Sequence, residues 1–279
     1  MAATENNLEG DAFLSAVRER EAQPLAARPI TLDLLLNEAT SGSELLPDIW
    51  RLYERGCRRM LSERPDSSRF TQAPRLEPSQ KMAVAGRIAC VTILGAFTTV
   101  EINPDVAKHR GAVAPEDIAG GQEIAAEVPF SVSSSEVHEV LKTGVFTASG
   151  LTFRWLHKSY SEFLAAYHLR SHAVSKNQVI SLIGCAGRVA PALRGVTAWL
   201  TSKDEDVFRQ VLQLDPEVLL FSDLSTATDQ QRAELVDWLL REARANNPLV
   251  HEWGMFWTYR KLKHAGLNLQ LEPIIEGSP

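Results

Sequence analysis

Apolar residues recur at two different periods along this chain, and the change between them is sharpest from Leu151 to Leu169, LTFRWLHKSYSEFLAAYHL. Leu151, Phe153 and Trp155 alternate with Thr152, Arg154 and Leu156, which predicts a strand. Tyr160, Phe163, Leu164 and Tyr167 then fall at helical spacing and make one apolar stripe. Ser159 followed by Glu162 has capping-box spacing, so the helix is expected to start at Ser159. His157 would then sit at a strand-to-helix junction, just outside a helix N-terminus whose backbone N–H groups lack partners. Such a corner suits an anion, because free donors and the positive end of the helix dipole point the same way. On the residues alone, a junction histidine that hydrogen-bonds locally is the simpler reading.

The same patterning predicts helices over 11–20, 30–38 and 48–63, the last with Ile49, Leu52, Tyr53, Cys57, Met60 and Leu61 on one side. Pro29 opens the second of these, where its missing N–H costs little. Glu63 to Gln80, with Pro65, Pro74 and Pro78, reads as a linker. Met82 to Val100 reads as a largely buried helix. Asn103 to Gly121 is loop-like, with a short helix opened by Pro115. Ser133 to Leu141 forms a capped helix, and 145–148 with 151–156 form a hairpin about Ser149-Gly150. Beyond Ser175 the chain is wholly helical in expectation: 178–185, 191–201, 205–214, 216–221, 229–245 and 250–264. Asp215-Pro216 and Thr228 with Gln231 mark starts, and Gly266 marks a stop. Short connections favour helical hairpins like HEAT repeats, although no sequence period is visible. The closing Leu269-Gln270-Leu271-Glu272-Pro273 has the look of a chain stopped partway.

Composition narrows the class. The 279 residues are 44% hydrophobic, enough for two or three small domains with buried cores. Three scattered cysteines, Cys57, Cys90 and Cys185, argue against a zinc ribbon or a disulfide framework and fit a reducing cytoplasm. The first residues carry no secretory signal, and the most apolar stretch, 88–97, is too short to span a bilayer. A net charge of −6 gives no general attraction to nucleic acid or anionic membrane.

Few side chains offer chemistry. His168 and His172 are spaced as two metal ligands on a helix, but a zinc peptidase would place Glu after the first His, and here the run is His-Leu-Arg-Ser-His. A solvated or half-buried pair is the expectation, with no metal site. Gly184-Cys185-Ala186-Gly187-Arg188 does not match a phosphate cradle. Trp199, Trp238, Trp253 and Trp257 are most simply core. No G-x-S-x-G elbow and no G-x-x-x-x-G-K-[ST] loop occurs.

The run from Phe153 through His157, Tyr160, Ser161-Glu162-Phe163 to Ala165-Ala166 resembles the winged-helix signature of NACHT-type STAND nucleoside triphosphatases. That signature is an aromatic, an apolar residue, His, an aromatic, Gln/Ser-Glu-aromatic and Ala-Ala. The resemblance implies that His157 reaches the β-phosphate of bound ADP and helps hold a closed state. Pro29 ahead of Thr31-Leu32-x-Leu34-Leu35 is similar to the family's proline that packs on adenine, and Leu46-Pro47 with Leu52-Tyr53 resembles its first helical domain. The resemblance divides the chain into a first helical domain (1–63), a linker (64–80), a winged helix (81–174) and a HEAT-like second helical domain (175–279), possessing no nucleotide-binding α/β domain of its own.

The expected fold is therefore mainly α: an N-terminal helical bundle, a winged helix with a small β-hairpin, and C-terminal helical hairpins. The expected role is a lid over ADP or ATP held by a separate P-loop domain, with protein ligands on the helical hairpins and no catalysis by this chain alone. His157 and Pro29 are the cofactor contacts. Beyond an independent enzyme, which no residue set supports, two rivals stand beside it. One is a helical scaffold with no nucleotide role. The other is a winged-helix DNA-binding regulator, disfavoured because the helix before the wing carries Glu136 and Glu139 against Lys142.

Overall fold

A computed structural model describes residues 10–19, 26, 29–40, 48–62, 75–224, 227–245 and 259–277. Leu46-Pro47, most of the expected linker (63–74) and residues 250–258 with Trp253 and Trp257 lie outside these. The protein is mainly helical with small antiparallel sheets, and it divides into two compact units, 1–172 and 173–279.

In the first unit, helices α1 (Gly10–Glu19), α2 (Pro29–Thr40) and α3 (Ile49–Ser62) precede α4 (Pro78–Leu94), the helix on which the unit is built. Then come β1 (Val100–Glu101), α5 (Pro104–Arg110), α6 (Pro115–Ile118), the hairpin β2 (Gln122–Ala125) and β3 (Val128–Ser131), and α7 (Ser134–Leu141). A second hairpin, β4 (Phe146–Ser149) and β5 (Thr152–Trp155), leads into α8 (Lys158–Ser171). β5 is the middle strand of a three-stranded antiparallel sheet in the order β1-β5-β4, with Val100 opposite Phe153 and Phe146 opposite Trp155. Gly150, at φ +65°, makes the tight turn between β4 and β5.

α4 is apolar on most faces because it is covered on most sides: α8, α3, α7 and β2 all pack on it. Its closest neighbour is α8. A methyl group at Gly86 would lie 2.9 Å from His168 Cβ and 3.2 Å from the Leu164 carbonyl, so only glycine permits this approach. α3 closes the other side of α8 with aromatic rings. Trp50 meets Phe163 edge-on at 5.0 Å, and Tyr53 packs on Tyr160 and Phe163 at 5.9 and 5.6 Å.

The second unit begins with α9 (Lys176–Ile183), capped by Ser175, and a small hairpin, β6 (Gly184–Cys185) and β7 (Arg188–Val189). A 3₁₀ turn (Pro191–Leu193), α10 (Arg194–Thr201), α11 (Glu205–Leu214), a second 3₁₀ segment (Pro216–Phe221), α12 (Asp229–Arg244) and α13 (Leu267–Ile275) follow. Arg194 holds this unit together at one point: its guanidinium lies 3.2 Å from Asp215 and 3.0 Å from Glu217, both buried.

Several expectations require correction. α8 starts at Lys158, and its N-cap is His157, not Ser159; Glu162 instead pairs with Lys158 at 3.0 Å. The buried helix ends at Leu94, because Gly95 caps it and Ala96 turns to φ 56°. Asn103–Gly121 holds two helices, and the β2–β3 hairpin was not anticipated. The helix expected over 178–185 gives way to strand at Gly184, and the helix expected over 216–221 from its Asp215-Pro216 start is 3₁₀.

Candidate functional site

The corner at His157 is built by the meeting of β5 and α8. His157 has extended backbone (φ −149°, ψ 141°), and its ring folds over the start of the helix. Nδ1 accepts the Ser159 backbone N–H at 3.1 Å and lies 2.7 Å from Ser159 Oγ. Ser159 Oγ in turn accepts the Tyr53 hydroxyl of α3 at 3.1 Å. A ring nitrogen that accepts an N–H carries no proton in the neutral form, so the hydrogen of His157 resides on Nε2. The residue is exposed, and that N–H is its outward donor.

This arrangement changes what the corner offers. The expectation was a set of loose amides beside an imidazole. In the structure the Ser159 amide is taken by the His157 ring, and the Tyr160 amide donates to the His157 carbonyl at 3.1 Å. The helix start is capped from within. The His157 ring thus offers a ligand its Nε2–H, with Nδ1 held by Ser159.

Pro29 is exposed as the first residue of α2. One turn on, Asp33 is close enough to Tyr160 to act on its hydroxyl. Burial pushes the Tyr160 phenol up, and the charges at Cys57, Tyr53 and Asp33 add to it.

Comparison with family models, curated proteins and solved structures finds no match. The likeness to the NACHT-type signature thus stands on the quoted residues alone.

A second constellation gathers at the opposite end of α8. β2 turns its glutamate inward and its isoleucine outward: the Glu123 side chain is 3% exposed, whereas Ile124 is 62% exposed. Arg87 of α4 meets Glu123 Oε1 at 3.2 Å and is itself held by the Ile118 carbonyl at 2.8 Å. Glu123 Oε2 faces the two histidines of α8, 3.0 Å from His172 Nε2 and 3.9 Å from His168 Nδ1. Burial raises the Glu123 carboxyl, opposed by the nearby His172 and Arg87. Burial also drives His168 down to about 3, with His172 and Arg87 adding to the shift, so this ring is neutral at ordinary pH.

His168 and His172 were visible in the sequence as an i, i+4 pair. Glu123 was not, because 45 positions separate it from His168 (168 − 123) and its strand went unrecognised. The one available signal is the inverted strand, an acid inside and an aliphatic outside, and it appears only once the strand is known.

Proposed function

We propose that this chain acts as the lid of a nucleotide-dependent switch, resting on ADP that a P-loop domain holds. The observation that carries this reading is the exposed His157 ring, fixed by Ser159 and Tyr53 so that its Nε2–H points outward from the strand–helix corner. A phosphate oxygen accepts such a donor, and a pre-oriented ring loses little entropy on making the bond. The β1-β5-β4 sheet order, with α7 ahead of the hairpin, supports a winged helix. The chain's own residues would bind and orient; the P-loop domain would supply the phosphate cradle and metal. Ligand-driven opening then requires only that the open state lose this contact. The DNA-binding alternative gains nothing from α7, whose Glu139 accepts the Arg75 and Leu76 amides and lies 3.5 Å from Lys81.

The test is release of a fluorescent ADP analogue from the chain combined with its P-loop domain, in one polypeptide or as partners. His157→Asn keeps a helix-capping side chain but shortens the reach. Release should quicken about 10- to 100-fold, the worth of one charge-assisted hydrogen bond, with an unchanged melting temperature. An unchanged release rate would leave the helical scaffold as the better reading.

A further inference from the structure

We propose that Glu123, His168 and His172 form a binding site for a divalent transition metal, with Zn²⁺ the best fit. One carboxylate oxygen and two imidazole nitrogens lie within 4.8 Å of one another, contributed by β2 and by the last turn and C-cap of α8.

Hydrogen bonding fixes which nitrogens face the centre. His172 Nδ1 lies 2.9 Å from the His168 carbonyl, which can only accept, so Nδ1 carries the hydrogen and Nε2 presents a lone pair. His168 bonds to the Ala83 backbone, while its Nδ1 is buried with no hydrogen-bond partner. Glu123 Oε2 is likewise buried without a hydrogen-bond partner, although His172 Nε2 is only 3.0 Å away. With His172 neutral, its Nε2 joins Glu123 Oε2 and His168 Nδ1 as an acceptor, and a metal ion held there takes the place of the ion pair that His172 and Glu123 otherwise make at 3.0 Å. A buried set of this kind costs free energy unless a cation occupies it.

The surroundings match those of a metal centre. Ligating histidines characteristically tie their second nitrogen to a carbonyl, as His172 does here, and a ligating carboxylate is held by an outer partner, here Arg87 on Oε1. Gly86 leaves open the space beside His168 Nδ1, 3.3 Å from where a methyl would sit. Two nitrogens and one oxygen suit Zn²⁺ and disfavour Mg²⁺ or Ca²⁺, which take mainly oxygen. Tetrahedral Zn²⁺ at about 2.0–2.1 Å spaces its ligands about 3.4 Å apart, so the set needs only small ring rotations, easiest at the half-exposed His172. That exposed side leaves a fourth position open to water. The inverted strand then has a reason: Glu123 faces inward to reach the metal, at the cost of leaving Ile124 in solvent.

The experiment is equilibrium dialysis of metal-free protein against Zn²⁺, with Co²⁺ as a spectroscopic substitute, in a Cys185→Ser background so that the exposed thiol contributes nothing. One equivalent should bind with Kd at or below about 1 µM, and Co²⁺ should give the visible bands of a four-coordinate centre. His172→Ala removes a half-exposed side chain at the helix end and should fold. It and Glu123→Gln should each weaken binding at least ~100-fold, since losing an outer partner alone costs about 10- to 100-fold. His109→Ala, an exposed histidine elsewhere, should change nothing. Absence of binding to the parent protein at 10-fold excess over that ~1 µM, or binding indifferent to His172→Ala, would overturn the site.

Discussion

The Tyr53 hydroxyl donates to Ser159 Oγ at 3.1 Å, joining α3 to the first turn of α8 across 106 positions of sequence. The bond matters because Ser159 is also what holds the His157 ring, through its backbone N–H and its hydroxyl. The orientation of an exposed histidine is therefore set by a buried tyrosine on another helix.

Tyr53→Phe should isolate that effect. The ring stays packed on Tyr160 and Phe163, so only the hydroxyl is lost, at about 0.5–1.5 kcal/mol. The expected result is a small fall in the urea midpoint with an unchanged slope. The His157 ring signals in an NMR spectrum should broaden or shift as Ser159 Oγ is freed. Unaltered His157 resonances would show that Ser159 alone suffices.

Gly86→Ala sets two effects against each other. In an exposed helix, alanine is better than glycine by about 1 kcal/mol. Here the new methyl would meet His168 Cβ at 2.9 Å and the Leu164 carbonyl at 3.2 Å, and neither is the end of a flexible chain. Overpacking costs about 1–3 kcal/mol, so crowding should win and the first unit should lose up to ~2 kcal/mol in chemical denaturation. A more stable variant would mean that α4 and α8 can separate freely.

Acid should weaken the first unit through Glu101. The Thr152 hydroxyl, 2.6 Å away, holds this carboxyl below the usual range; the Asn103 amide and Arg110 help, and burial works against them. A depressed carboxylate contributes stability that is complete above the ordinary value of about 4.3 and lost as pH falls through its lower folded value. Thr152→Val removes the largest of these influences. The variant should be less stable by roughly 1–2 kcal/mol at neutral pH, and the difference should vanish in acid, followed by tryptophan fluorescence. A deficit that persists below pH ~3 would point to lost packing instead.

How much of this was legible in the sequence depended on whether the signal was local. The Thr228–Gln231 capping box is written in four consecutive residues, and its helix starts where that cap places it. The β2–β3 hairpin escaped because its turn is Ala126-Glu127, both at positive φ without a glycine or asparagine to announce it, and because Pro129 reads as a strand breaker. β6–β7 turns through Ala186 and Gly187, at φ 48° and 78°, and there a glycine does mark the turn. His157 was found at the right junction, yet its role as the cap was missed, since histidine is not among the usual capping residues. The Glu123–His168–His172 cluster depends on the unrecognised hairpin, so one of its three members was invisible.

Arg194 offers the sharpest test in the second unit. Its guanidinium bridges Asp215 and Glu217, two buried carboxylates, and Asp215 also accepts the Val189 amide at 3.2 Å. Removing the cation leaves two like charges facing each other without the group they share. Breaking such a pair costs about 3–5 kcal/mol, and the low end applies here because Arg194 keeps part of its surface in water. Arg194→Met should therefore lower the stability of the second unit by roughly 3 kcal/mol. The triple variant Arg194→Met, Asp215→Asn, Glu217→Gln removes the charges together and keeps an acceptor for Val189. It should lose less than the single variant does, because the expense lies in the stranded charges more than in the missing attraction. Chemical denaturation of the three proteins decides the matter: a triple variant at least as unstable as Arg194→Met would show that the bridge contributes net attraction beyond its desolvation cost.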